Sequence, residues 1–385
     1  MQTRYSDHAR AKYHDMIAGP LNWNSILGTV IRAKIANPFF HQLQSLGIDQ
    51  RIPTAVRRQF EIYYYKIGYQ NIHILEQLVQ LIRLLAEVRV DVIVLKGSAL
   101  LAEVWPNPSL REMADIDILV RCGDLSAAEQ SLQKNGYLPI EHHHPAEHYR
   151  KYHHHLVPYF NPTAACRLPI EIHHNIEQPT DPISVDMSDF WNSARAITFN
   201  DTTLHVLSPE NLLVHLCMSL AYSNRFLNQI RDMIDISQTV FHFGTAMQWD
   251  NIVMVARKSA MANCIYYALY FSKNLFGAAI PRQVLDQIGT QVSVKFISHH
   301  LLRYLVKQYS LVSVTTTPLV PINKLKLVCR DIIADAGMVE KIKTFWYHFL
   351  FPERVAASGE QFGSCRRLAF IVLQLFKNLF SRYSC

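Results

Sequence analysis

The chain has 385 residues and a formal net charge of +7, from 38 Lys and Arg against 31 Asp and Glu. Hydrophobic residues make up 49% and charged residues 18%, which excludes an intrinsically disordered chain and supplies material for packed cores. The 13 Gly and 17 Pro are too few for a collagen or a linker-dominated protein, and the length implies two or three domains at roughly 150 residues each.

The mild basic excess is compatible with an anionic substrate. No Lys/Arg block or basic-aromatic stripe stands out, so no nucleic-acid groove is legible. Uninterrupted apolar runs fall well short of the roughly 18 residues of a membrane-spanning helix. The polar start MQTRYSDHARAKYHDM lacks the apolar core of a secretory signal. The 7 Cys are scattered, without a Cys-x-x-Cys pair. They fit reduced thiols in a cytoplasmic protein better than a disulfide framework or a zinc ribbon.

Residues 1–85 are expected to be helical. After Ile52-Pro53, apolar residues such as Phe60, Ile67, Ile74, Leu78, Leu81 and Leu85 recur mostly at three- and four-residue steps. They predict one long helix over 54–88, with Gly68 as a candidate break. The period then changes. Val90–Leu95 reads as a buried strand closed by Lys96-Gly97, and Ser98–Trp105 as a short helix ended by Pro106-Asn107-Pro108. Asp115–Val120 alternates carboxylate and apolar residues, as a strand does. Ser126 and Glu129 match a capping box, and Gly136 stands where a C-terminal glycine belongs, so 126–135 is read as a helix. Two further strands are expected over 153–160 and 168–173, joined as a hairpin through Asn161-Pro162-Thr163.

From Ser208 the helical pattern returns. Ser208-Pro209-Glu210 supplies an N-cap, a first-turn proline and a first-turn acid. Residues 251–276 read as one helix stopped by Gly277, and shorter helices follow to about Leu350. The expected fold class is α+β. A small mixed sheet with flanking helices occupies 86–205, embedded between helical regions at 1–85 and 206–350. Residues 351–385 form a loop and an apolar helix, Leu368–Phe380, which is too short to span a bilayer. That helix docks on the helical domain, or meets a membrane surface or a partner.

The chemistry concentrates in Lys96-Gly97-Ser98, Arg111, Asp115-Ile116-Asp117 and Glu171. Side chains two apart on a strand share a face, so Asp115 and Asp117 point one way and Ile116 and Ile118 the other. Two carboxylates side by side repel unless a cation joins them, and hard oxygen ligands select Mg²⁺ or Mn²⁺. If the Glu171 strand neighbours the first, three carboxylates converge as a two-metal site that can activate a hydroxyl and stabilise a pyrophosphate leaving group. Gly97-Ser98 at a strand-to-helix turn offers backbone N–H groups to a phosphate. Lys96 and Arg111 can neutralise phosphate charge, the latter bidentately. The plainer readings are an edge-strand acid pair, an exposed Glu171, and salt bridges from Lys96 and Arg111 to those same acids.

Histidines cluster at 142–144, at 153–155 and at His173, which shares a strand face with Glu171. There is no His-Glu-x-x-His and no Cys at ligand spacing, so a zinc site lacks support. The functional reading is that His154, His155 or His173 lines a nucleotide or acceptor pocket. Surface and packing roles are the alternative. No Gly-x-Ser-x-Gly, P-loop or dinucleotide-binding glycine motif is present.

An apolar strand, Gly-Ser, Asp-x-Asp and a later strand acid together resemble the DNA polymerase β-like nucleotidyltransferase superfamily. More closely, LKGSALLAEVWPNPSLREMADIDILV, Leu132 with Gly136-Tyr137, HHHLVPYF, IEIHHNI and LSPENLLVHLCMSL resemble the uncharacterised bacterial nucleotidyltransferase family NTP_transf_5, over about residues 75–245. The resemblance implies Mg²⁺-dependent (or Mn²⁺-dependent) transfer of a nucleoside monophosphate from an NTP such as ATP to an acceptor, with pyrophosphate release. It makes Asp115 and Asp117 metal ligands and Glu171 the third carboxylate and general base, with Gly97 and Ser98 holding the triphosphate. The 16 residues between Ser98 and Asp115 exceed the usual superfamily interval, and a loop with Pro106 and Pro108 absorbs the excess. The acceptor (small molecule, peptide, protein or tRNA) is left open. A catalytically degenerate nucleotide-binding or scaffold protein of a biosynthetic assembly is the alternative.

Overall fold

A computed structural model of the chain describes residues 19, 21–140, 145–177, 185–224, 226, 230–258 and 261–289. The expected loop at His142–His144, the helices beyond 289 and the apolar segment Leu368–Phe380 lie outside the described residues.

Helix α1 (Trp23–Arg32) begins at Asn22, whose Oδ1 accepts a hydrogen bond from the Ser25 amide at 3.0 Å. Helix α2 (Ala36–Ser45) follows. Helix α3 (Thr54–Glu87) runs 34 residues without interruption, so Gly68 is no break. The glycine serves packing instead. A Cβ there would collide with the Ser109 hydroxyl, so its absence lets that side chain approach the helix backbone. Phe60 on α3 stacks on Phe40 of α2, with ring centroids 5.1 Å apart.

Strand β1 (Val92–Val94) is buried along its whole length. It runs into α4 (Lys96–Ala99), which widens into a π-type turn over Leu100–Val104. Strand β2 is Ile116–Val120. Helix α5 (Leu125–Lys134) departs from the expected capping box. It is entered directly from a 3-10 turn at Cys122–Asp124, so Ser126 falls inside the helix and Asp124 makes no side-chain cap bond. Glu129 instead binds Arg150 and accepts from Tyr159 Oη. Gly136, at φ +81°, does end the helix.

Strand β3 (Leu138–Pro139) precedes α6 (Ala146–Tyr152). The strand expected over 153–160 shrinks to β4 (Tyr159–Phe160), with one isolated bridge at His155. The preceding turns are taken by α6, whose Tyr149 ring is buried and stacks on His153. Strand β5 is Ile170–His173, and Tyr159 pairs antiparallel with Ile170 across the expected hairpin. After α7 (Met187–Asn192) comes an antiparallel hairpin absent from the sequence expectations, β6 (Arg195–Phe199) and β7 (Thr202–Val206). Its turn residues Asn200 and Asp201 have φ of 44° and 57°, as a two-residue hairpin turn with left-handed positions requires.

Helix α8 (Pro209–Met218) starts as expected, with Ser208 Oγ accepting from the Asn211 amide at 3.2 Å. Helix α9 is Ile230–Phe243. The helix read over 251–276 is two, α10 (Trp249–Lys258) and α11 (Ala262–Phe276), the second ending at Gly277. Helix α12 (Arg282–Ile288) closes the described chain.

The seven strands form one mixed sheet in the order β3-β4-β5-β2-β1-β7-β6. Pairs β2–β5 and β1–β7 are parallel, and β1–β2 is antiparallel. This is an α+β architecture. The chain divides into two compact units. One comprises Tyr63–Leu216 and Thr245–Ile252 and holds the whole sheet. The other draws its described residues from Met1–Ile62, Cys217–Gly244 and the part from Val253 on, and is helical, with α9 packed on α11. No described helix is long and apolar enough to cross a membrane.

Candidate active site

The site is built on the two central parallel strands. Register pairs Asp117 on β2 with Glu171 on β5, and Leu119 with His173. Ile116, Ile118, Ile170 and Ile172 are fully buried on the opposite face, which fixes the strands' orientation. Glu171 and His173, two apart, therefore share the face that carries Asp117.

Asp117 is 1% exposed and His173 is wholly buried. His173 Nε2 lies 2.8 Å from Asp117 Oδ1 and 3.4 Å from Glu171 Oε2. Lys96 Nζ reaches the same Asp117 oxygen at 3.3 Å. Lys96 stands at φ +40°, a left-handed conformation costing a non-glycine residue about 1–2 kcal/mol. That strain sits at the turn between β1 and α4, next to the carboxylates.

The charges are mutually set. Burial works against ionised Asp117, but Lys96 and the hydrogen bond from His173 hold its carboxyl well below the usual range. Burial also works against charged Lys96, and Asp117, Glu171 and Asp115 together raise its pKa nonetheless. For His173, burial and Lys96 oppose the proton, while hydrogen bonds to Asp117 and Glu171 raise the pKa.

Asp117, Glu171 and His173 each offer one ligand atom, all within 4.8 Å of one another. Two carboxylates and one imidazole on one sheet face are a donor set that can hold a divalent cation. Asp115 is half-buried just before β2 and is not part of that trio among the described residues. Its carboxylate nonetheless acts on Lys96.

Gly97 and Arg111 are brought together. A Cβ on Gly97 would stand 2.5 Å from Arg111 Nη1 and 2.7 Å from Met113 Sδ, so only glycine lets that guanidinium lie against the turn. Asn71 of α3 secures the segment by donating to the carbonyls of Pro108 and Arg111 at 2.5 and 2.6 Å. Ser98 is 0% exposed, and its hydroxyl has no partner among the described residues. Its side chain therefore faces the interior; Gly97 and Arg111 are buried as well, and Lys96 is the partly exposed residue of the turn.

The histidines spread around this centre. His154 and His155 lie with ring centroids 5.1 and 5.5 Å from that of His173. His155 Nδ1 is 2.7 Å from the Leu156 carbonyl, and its main chain bridges to His173. Burial lowers the pKa of both, that of His154 to about 2. One residue escaped the sequence reading. His215 on α8 is 1% exposed, and its pKa is pushed down to about 3 by burial and by the positive charges of Lys96 and His173. A single imidazole inside the apolar run LLVHLCM was the available signal.

The model of a family described as an uncharacterised nucleotidyltransferase matches residues 19–277, and the chain belongs to that family. No curated protein matches at a significant level. Among solved structures, an antigenic nucleotidyltransferase-like protein from Paracoccidioides brasiliensis overlays 62% of this chain and 96% of its own, at 12% identity and a TM-score of 0.32.

Proposed function

We propose that the protein is a divalent-metal-dependent nucleotidyltransferase, moving a nucleoside monophosphate from an NTP to an acceptor hydroxyl or other nucleophile with loss of pyrophosphate. The observation that carries this reading is the pairing of Asp117 with Glu171 across β2 and β5, next to the Lys96–Gly97 turn and Arg111. Asp117 and Glu171 would hold Mg²⁺ or Mn²⁺, with Asp115 at the entrance of β2 as a further carboxylate. The cation supplies charge neutralisation at the α-phosphate and the leaving pyrophosphate.

The chain's own groups do the rest. The Lys96–Gly97 backbone and the Arg111 guanidinium receive the triphosphate. Glu171, the more exposed of the paired acids with 22% of its side chain accessible, takes the proton of the attacking nucleophile. His173 donates to Asp117 and fixes the direction of its carboxylate. Catalysis rests on alignment and charge complementarity.

A second reading is nucleotide binding without turnover. It is favoured by the closed state of Asp117, whose Oδ1 is engaged by both Lys96 and His173. One experiment separates the two. Each α-labelled NTP is incubated with protein, Mg²⁺ or Mn²⁺ and cell extract as acceptor source. Label transfer and pyrophosphate release that require Asp117 support the enzyme. Nucleotide-induced thermal stabilisation without release supports the binder.

A further inference from the structure

A cavity of about 180 Å³ opens on one face of α3 within the sheet-bearing unit. Tyr63, Ile67 and Gln70, three and four residues apart, form its helical wall. Glu112 and Met113 form the facing wall on the segment that enters β2, and Leu168 adds a third side from the segment that enters β5.

This cavity and the site share Met113. Met113 lines the cavity and also presses on the Lys96–Gly97 turn, with Sδ 2.7 Å from where a Gly97 Cβ would stand. Leu168 precedes Glu171 by three residues, a reach of about 10 Å even in fully extended chain. A ligand whose phosphates lie on the turn and Arg111 can therefore extend past Met113 into the cavity. Ile67, Met113 and Leu168 give apolar surface for a flat ring. Lys66, Gln70 and Asn71 add polar groups to the lining, and its one acid is Glu112, whose Oε2 accepts from Tyr63 Oη at 2.5 Å. An ionised carboxylate only accepts, so the ligand edge facing it must donate.

We propose that this cavity is the base pocket of the NTP, and that Glu112, positioned by Tyr63, selects a base presenting a ring N–H beside an amino group, which is guanine. The proposal rests on the nucleotidyltransferase reading of the neighbouring site. Guanine offers two adjacent donors to one carboxylate. Adenine and cytosine pair an amino donor with a ring acceptor that a carboxylate repels, and uracil has no amino group at all.

The test is calorimetric titration of the full chain in Mg²⁺ with the α,β-methylene analogues of GTP, ATP, CTP and UTP, and with inorganic tripolyphosphate. The guanine analogue is expected to bind about tenfold more tightly than the uracil analogue, the scale of one good bidentate contact. Glu112→Gln should bring the four analogues to within about twofold of one another. Leu168→Trp, which fills the cavity, should weaken all four. Tripolyphosphate affinity should be unchanged in both variants, which also shows that each is folded. Equal affinity of the wild type for all four analogues, or a preference untouched by both variants while tripolyphosphate still binds, would overturn the pocket and leave the transferase reading standing. If neither the analogues nor tripolyphosphate binds the wild type, both fall.

Discussion

Asp117 and Glu171 stand directly opposite each other on parallel strands, and His173 bonds Asp117 from the next same-face position at 2.8 Å. Two acids and a histidine thus share a buried sheet face with one lysine. Removing the charge while keeping the shape tests whether that face performs chemistry. Asp117→Asn and Glu171→Gln should each lower NTP-dependent pyrophosphate release by on the order of a hundredfold or more. Thermal unfolding of each variant near that of the wild type would show that the loss is catalytic. Full activity in either variant would remove that residue from the mechanism.

The same pair makes a stability prediction. Asp117→Ala leaves buried His173 with only the longer Glu171 contact at 3.4 Å and takes the Asp117 oxygen from Lys96, and breaking a buried pair from one side costs about 3–5 kcal/mol. Denaturant titration should show that loss. Adding His173→Leu should recover a large part of it, because no buried imidazole is then left with that long contact alone. A double variant as unstable as the single one would mean that the pair's geometry, rather than its charge, holds the strands.

Gly97 is needed for close approach. Gly97→Ala must displace Arg111 or Met113, and overpacking of this kind costs about 1–3 kcal/mol. Since Arg111 is assigned to the triphosphate, nucleotide affinity should fall as well. Unaltered affinity in a folded Gly97→Ala protein would argue that Arg111 serves only packing.

Gly68 offers a control for the same physics away from the acids. Gly68→Ala should fall short of the roughly 1 kcal/mol that alanine contributes in a helix interior, because its Cβ meets the Ser109 hydroxyl. Ser109→Ala in the same chain leaves only the Cβ contact at 3.4 Å and should restore most of that contribution. The absence of any rescue would place the strain elsewhere.

His215 predicts an acid limb in stability. Its folded pKa of about 3 lies below the ordinary value near 6.5, so the unfolded chain binds this proton first. Its contribution is complete above pH 6.5, falls as pH drops towards 3, and changes no further below that. The slope for one such group is about 1.4 kcal/mol per pH unit. His215→Leu should make the decline between pH 6 and 4 shallower by about that amount in denaturant titrations. An unchanged slope would assign the acid sensitivity to other groups, among them His154 and His174, whose pKa values are also lowered.

Several elements were legible because one local signal dictated them. The run from Thr54 to Glu87 keeps its apolar stripe for 34 residues without a proline, and nothing competes with helix there. Val92–Val94 and Ile116–Val120 are β-branched and apolar enough to be buried on both faces. Elements went astray where two signals competed. Ser126 and Glu129 matched a capping box, but the 3-10 turn at Cys122–Asp124 had already started the helix. The β6–β7 hairpin hides in Arg195–Val206 because its turn is Asn-Asp rather than a glycine-containing pair. The left-handed tolerance of those two residues was the usable clue.

The sequence by itself determined the family, the strand identity of Ile116-Asp117 and Ile170-Glu171-Ile172, and the shared face of Glu171 and His173, while Asp115, read into the same strand, stands just before it. Those follow from residue type and a period of two, which are local. Only the tertiary structure decided that β5 lies parallel beside β2 with Asp117 opposite Glu171, that His173 and Lys96 converge on one Asp117 oxygen, and that Ser98 turns inward while Arg111 covers Gly97. Asp117 and Glu171 are separated by more than fifty residues of chain. No local propensity sets their distance. The register of two strands buried on both faces does, because a slip of one residue would drive the acids into the isoleucine core.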